Sequence, residues 1–293
     1  MKRTPIVTVF VTLAAVAAGC VAQPAAQPAA QPVAPVPDTQ VLHDAEQLVL
    51  RDCMARAGFE YRITPPPSVP DQREFPYVVD DVEWARKHGY GSDIQQRLDA
   101  VRAEDPNQRY FRSLPADRRP AAAAAANGTR PIGLTAKDPE GITVTRSDQG
   151  CRTEVFRELY GDPQTWFQTS TTVTGLKALR MRRVLADPKF AAALVPWSSC
   201  MRAAGYDYPS PADLRARQPE QPVPFADEQR MAVTEATCAG QSGLAATAKE
   251  LDAHHEAEVN KQYQAALDTQ HRLQQAALPH ARELLLRQDR PGS

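Results

Sequence analysis

Apolar residues recur at three- and four-residue steps along most of the chain, the period of an amphipathic helix. Leu42, Ala45, Leu48 and Met54 mark a first helix running to Ala57, with Asp38 or Thr39 placed to cap it. Residues 78–88 open with acids and close with bases, as the helix dipole favours, and Gly89-Tyr90-Gly91 ends them. Further helices are expected from Ser92 or Asp93, from Asp105-Pro106 to Leu114, from a cap at Asp148 to Gly161, over 176–185, and from Asp187-Pro188 to Ala204. The stripe Leu244, Ala248, Leu251, His255, Val259, Tyr263, Leu267, Leu273 and Leu278 predicts one long helix from Asp227, kinked or broken at Pro279. Residues 141–145 read as a short strand paired with 60–64, the one β-hairpin expected. Residues 65–76, opened by three prolines, and residues 115–141, with six consecutive alanines, read as loops, the second of them mobile.

Two stretches stand out from this background. Cys53-Met54-Ala55-Arg56-Ala57-Gly58-Phe59-Glu60-Tyr61 returns as Cys200-Met201-Arg202-Ala203-Ala204-Gly205-Tyr206-Asp207-Tyr208. Each copy ends a run of helix formers. Gly58 and Gly205 fall where a helix needs a left-handed C′ residue. Counting back, Met54 and Met201 are C3, while Phe59 and Tyr206 are C″. The Schellman motif brings C3 and C″ into apolar contact, so methionine and aromatic recur together as parts of one cap. The cysteine, one residue earlier, is placed to tie that last turn to another element.

The first residues carry a different signal. Lys2 and Arg3 precede an apolar run from Ile6 to Ala18 that is too short for a comfortable membrane span. It ends in Ala17-Ala18-Gly19-Cys20, which resembles the lipobox of bacterial lipoproteins, where the cysteine is diacylated and becomes the new N-terminus. The family prefers leucine where Ala17 stands, and Ala15-Val16-Ala17 also fits an ordinary signal-peptide site. On the lipobox reading, residues 1–19 are a signal peptide and Cys20 is the lipidation site. Residues 20–40 follow as a tether: Ala-Gln-Pro-Ala at 22–25 recurs at 26–29 and, with valine last, at 30–33. Such a segment favours polyproline II; twenty residues at ~3.1 Å each span roughly 60 Å. Cleavage removes two positive charges and no acid, leaving 32 positive against 35 negative side chains. A chain so balanced has no basic field for nucleic acid.

With Cys20 assigned to lipid, Cys53, Cys151, Cys200 and Cys238 remain, an even number in an exported chain. Of three connectivities the repeat selects Cys53–Cys151 and Cys200–Cys238, one bridge in each half. The halves are residues 41–168 and 169–289, packed as one domain. The expected fold is mainly α: a disulfide-stapled helical domain of two pseudo-repeats, with one short hairpin and a long C-terminal helix.

No motif reaches a reaction. Glu250, His254 and Glu258 follow at i, i+4 and i+8, but without an H-E-x-x-H pattern they read as a solvated face, and His255 reads as a core histidine on the apolar side. Asp80-Asp81 reads as a helix start. No G-x-S-x-G and no glycine-rich phosphate loop occurs. No catalytic residue, metal ligand or cofactor is expected, and the ligand is left open. The repeated Cys-Met-x-x-x-Gly-aromatic-x-Tyr element, the Gly89-Tyr90-Gly91 helix end and Gly150-Cys151 opening a helix together resemble a group of uncharacterised actinobacterial secreted proteins and lipoproteins, over roughly residues 41–165. The resemblance implies an envelope location and transfers no functional residue. The expectation is a non-enzymatic binding or accessory module on the outer face of the cell membrane, held there by the lipid on Cys20 and engaging an envelope protein partner. The competing expectation is an envelope enzyme such as a cell-wall hydrolase.

Overall fold

The structure is a computed structural model that describes residues 36–217 and 223–288. The expected signal peptide, the expected lipidation site Cys20 and the expected tether as far as residue 35 lie outside them. Twelve helices and one two-stranded sheet make up the described residues, a mainly α fold. In chain order the elements are α1 (Asp38–Arg56), α2 (Val82–His88), α3 (Ser92–Ala103), α4 (Pro106–Ser113), α5 (Arg119–Asn127), β1 (Leu134–Lys137), β2 (Thr143–Arg146), α6 (Cys151–Tyr160), α7 (Pro163–Ala186), α8 (Pro188–Ala203), α9 (Pro211–Arg217), α10 (Phe225–Gln241), α11 (Leu244–Gln262) and α12 (Gln264–Gln288). No helix among the described residues is long and apolar enough to cross a membrane.

The disulfides are Cys53–Cys151 and Cys200–Cys238, with Cα atoms 5.5 and 5.7 Å apart. The first ties the end of α1 to the start of α6. The second ties the end of α8 to α10. Around each grows an apolar core. The first joins Val41, Leu42 and Val49 of α1, Phe59, Ala122 of α5, Val155 and Leu159 of α6, Trp166 of α7, and Ala277, Leu278 and Ala281 of α12. The second joins Tyr77 and Val78, Val184 at the end of α7, Trp197 and Met201 of α8, Leu214 of α9, Met231 of α10, and Leu244 and Leu251 of α11. The 24-residue helix α7, about 36 Å long at 1.5 Å per residue, runs from the first core to the second.

The cores do not follow the order of the chain. Residues 77–79 and α2 pack on α10, and the last turns of α12 return to α1 and α6. Arg282 of α12 holds Asp38 in the first turn of α1 at 2.7 Å. The long C-terminal helix therefore packs on its own domain.

Several local expectations are corrected. The single helix expected from Asp227 is three. It breaks at Ser242 and Gly243, the latter at φ 80°, and again at Tyr263. Pro279 breaks nothing. Its ring and Gln275, whose carbonyl loses its N–H partner, are both exposed, so the missing bond falls on the solvent side of the helix. Residues 115–141 are not one loop. The alanine run forms α5, with Pro120 in its first turn and Ala122 buried, as strong helix formers allow. The strand at 143–146 pairs with 134–137 rather than 60–64, in register Leu134↔Arg146 through Lys137↔Thr143. Helix α2 starts only at Val82, because Asp81 is its cap and accepts from Trp84 N–H at 2.9 Å. Asp148 does not cap α6; it pairs with Arg130.

Candidate functional site

The repeated nonapeptide closes two helices in one way. Phe59 N–H donates to Met54 O at 2.9 Å and Gly58 N–H to Ala55 O at 3.0 Å; Tyr206 N–H donates to Met201 O and Gly205 N–H to Arg202 O at the same two distances. These are the paired bonds of a Schellman motif, with Gly58 at φ 79° and Gly205 at φ 91°. Met54 and Phe59 are buried in the first core, and Met201 and Tyr206 pack in the second. The cysteine, methionine, glycine and first aromatic of each copy are thus taken up by the cap, the core and the disulfide.

Two buried acids on α10 do something sequence reading missed. Glu228 and Glu235 are seven residues apart, so they share one helix face. Glu228 accepts from Tyr90 N–H at 2.8 Å and from Ser92 Oγ at 2.5 Å, which places its charge at the N-terminus of α3. Gly89 explains the approach: its φ of 60° and ψ of −121° suit glycine alone, and a Cβ there would lie 2.7–2.9 Å from Glu228. Glu235 is wholly buried, accepts from Val79 N–H at 2.9 Å, and stands 4.0 Å from Arg215. The Tyr90 hydroxyl faces it without a hydrogen bond of ordinary geometry. Burial raises the carboxyl pKa of Glu235 against the lowering effect of the Val79 bond and Arg215. Burial also drives the Tyr90 phenol far above its usual range. These acids bind backbone of residues 79–92 to α10 and are components of the core.

An open cleft lies where the hairpin meets α6 and α7. Alternation along the strands puts Leu134, Ala136, Val144 and Arg146 on one face of the ribbon. Leu134 and Ala136 are buried with Phe167, whereas Val144 and Arg146 stay partly open. The outer edge of β1 is sealed by α7. Gln164 exchanges two hydrogen bonds with Thr135 backbone, at 2.7 and 3.2 Å, and Gln168 exchanges two with Lys137, at 2.9 and 3.0 Å. Two glutamines one helical turn apart thus stand in for a third strand.

The cleft measures about 340 Å³ and is lined by Arg146, Phe156, Phe167, Ser170, Thr171, Thr174 and Gly175. The Arg146 guanidinium lies 4.9 Å above the Phe156 ring. Burial and the neighbouring Arg152 both hold its pKa below the usual arginine range, and no acid offsets them. Arg146 is therefore a half-buried cation without a carboxylate partner among the described residues, although arginine is seldom buried unpaired. The sequence marked neither the cleft nor Arg146, since a lone arginine in a strand carries no pattern.

Sequence reading placed Glu250, His254 and Glu258 in one row. The structure joins His254 and Glu258 with His255 instead, their ligating atoms all within 4.8 Å of one another. Glu250 turns toward Lys189, 3.9 Å away. His255 lies on the apolar side of α11, its side chain 13 % exposed, and its two ring nitrogens face Glu258 and Asp187. Trp84 meets Phe75 and His88 in tilted contacts, and Tyr160 stacks face to face on Trp166 at 3.5 Å, so these aromatics pack against one another.

No family model, curated protein or solved structure matches the chain.

Proposed function

We propose that the protein is a lipid-anchored binding module of the cell envelope, tethered through Cys20 outside the membrane and without catalytic activity of its own. Its ligand seat is the cleft under the hairpin, and the ligand carries a carboxylate and a flat apolar body. The observation that carries this reading is Arg146. Its fork of donors matches a carboxylate in two-point geometry, and a bound anion would offset the cost of holding the cation half-buried. Phe156 and Phe167 supply apolar wall, and Ser170, Thr171 and Thr174 supply hydroxyls for orientation. The volume is at the small end of ligand sites. The lining offers no imidazole or carboxylate to act as a base, which favours binding over turnover. Two disulfides favour an oxidising compartment, in keeping with export.

Two measurements test the two halves of the proposal. Intact mass of the membrane-extracted chain is expected to show diacylglyceryl on Cys20, and C20A is expected in the medium; an unlipidated membrane fraction would overturn the anchor. A panel of aryl carboxylates, each paired with its neutral amide, is titrated while Trp166 fluorescence is followed. Acids are expected to bind and amides not. R146M is expected to weaken binding about 10–100-fold, the loss of one charge-assisted contact. Equal binding of acid and amide, or no effect of R146M, would remove the cleft as the seat.

A further inference from the structure

The apolar stripe of α11 runs through Leu244, Ala248, Leu251 and Val259, all buried, and calls for an apolar side chain at 255. His255 stands there. Its Nδ1 is 3.0 Å from Glu258 Oε2, and its Nε2 is 3.4 Å from Asp187 Oδ2. A neutral imidazole carries a single N–H. One of the two carboxylates therefore receives a hydrogen bond while the other meets a nitrogen lone pair. On a neutral imidazole that second nitrogen keeps a free lone pair, the donor a metal ion takes.

The neighbouring residue adds a second imidazole to the same carboxylate. His254 Nε2 lies 3.5 Å from Glu258 Oε1, so the two oxygens of one carboxylate each face a different imidazole. Around a tetrahedral zinc with ligands at ~2.0–2.1 Å, neighbouring donor atoms sit roughly 3.3 Å apart. Both contacts, one to each Glu258 oxygen, are close to that spacing, and one ligating atom from each of the three residues lies within 4.8 Å of the others. Asp187 is held in place independently: as the cap of α8 its Oδ1 accepts from Lys189 N–H at 2.8 Å, leaving Oδ2 for the imidazole. With the proton on Nε2 and shared with Asp187, His255 turns the Nδ1 lone pair toward Glu258. A carboxylate behind a ligating histidine is the common supporting contact of zinc sites.

We propose that His254 Nε2, His255 Nδ1 and the Glu258 carboxylate bind one divalent ion of the zinc type, with Asp187 as the positioning residue. Two imidazoles and one carboxylate suit zinc, whereas magnesium and calcium take oxygen-rich shells. The His254 and Glu258 side chains are 60 % and 50 % exposed, which leaves a fourth position open to water.

The test uses the full mature chain without an affinity tag, stripped with a chelator and titrated with zinc chloride in a calorimeter. One zinc per chain is expected, with a dissociation constant in the micromolar range or tighter. Cobalt in its place is expected to give the visible absorption of a low-coordinate nitrogen and oxygen site. H254A and E258Q change exposed side chains, and each is expected to weaken binding at least tenfold with the melting temperature retained. D187N is expected to weaken it about 10–100-fold while leaving the stoichiometry at one. No zinc uptake at millimolar metal, or uptake as tight in the H254A/E258Q double variant as in the parent, would overturn the proposal. So would nitrogen NMR that finds both His255 ring nitrogens protonated at neutral pH and unmoved by zinc.

Discussion

At the scale of single residues, the glycines separate into two kinds. Gly205 ends a helix in open space, so alanine there meets only the left-handed backbone and is expected to cost about 1–2 kcal/mol. Gly89 lies against the buried Glu228, and alanine there would strain the backbone and push the acid off Tyr90 and Ser92. We expect G89A to cost roughly 3–5 kcal/mol, read as a larger shift of the urea midpoint than for G205A. Glu235 makes a separate prediction about pH. Its folded pKa is raised by burial above the ordinary 4.5. Between that value and the raised one, the folded chain holds more protons than the unfolded chain, so stability falls as pH rises through the window. Glutamine keeps an acceptor for Val79 N–H and removes the titration. The loss of melting temperature on going from pH 4.5 to 8 is therefore expected to be smaller in E235Q than in the parent. Glu46, also raised by burial, contributes the same sign and leaves some slope in both.

At the scale of elements, the staples and the seals are what hold neighbouring pieces in register. The Cys53–Cys151 bridge closes a loop of sequence separation 98, and Cys200–Cys238 one of 38. On the loop-entropy model these contribute roughly 5 and roughly 4 kcal/mol, with a mechanism that depends on the model. Replacing both members of a pair by alanine is expected to cost about 2–5 kcal/mol in either case, measured by denaturant titration, with the first pair at least as costly as the second. The hairpin is held differently. Gln164 and Gln168 bond to the backbone of β1, so its edge offers no template for another strand. That leaves the ribbon anchored along one edge. Arg146 of β2 stands in the lining of the cleft, beside Phe156 of α6 and five residues of α7.

At the scale of the whole molecule, the halves of the sequence are not the units of packing. Residues 77–79 and α2 belong with α10, and the end of α12 belongs with α1 and α6. A chain ending at residue 263 would expose the apolar side of α1 that Ala277, Leu278 and Ala281 cover. Such a truncation is expected to melt at lower temperature and with less cooperativity than the parent, with amide exchange fastest in α1 and α6. Melting unchanged from the parent would show that α12 adds nothing to the first core. The crossing also gives α7 its role, since it is the element that reaches both cores.

Much of this was legible in the sequence, and the reason is local. Capping depends on a few consecutive residues, so Gly58 and Gly205 with their methionines and aromatics could be placed without a fold. The disulfide pairing followed from the repeat, because two similar helix ends call for two similar partners. The mainly α class followed from the helical period of the apolar residues. The breaks at Ser242–Gly243 and at Tyr263, the helix in the alanine run, and the partner of the strand at 143–146 depended on what lies alongside, and periodicity is silent on that. The same limit hid the chemistry. Arg146 becomes a candidate binding residue only because α6 and α7 bring apolar and hydroxyl groups beside it and bring no acid. His255 becomes a ligand candidate only because the turn between α7 and α8 sets Asp187 behind it. Sequence determined the caps, the staples and the helical class, since these rest on short-range geometry; tertiary structure alone decided which charges meet partners and which are left facing a cleft, since burial and long-range packing set the electrostatic environment of each group.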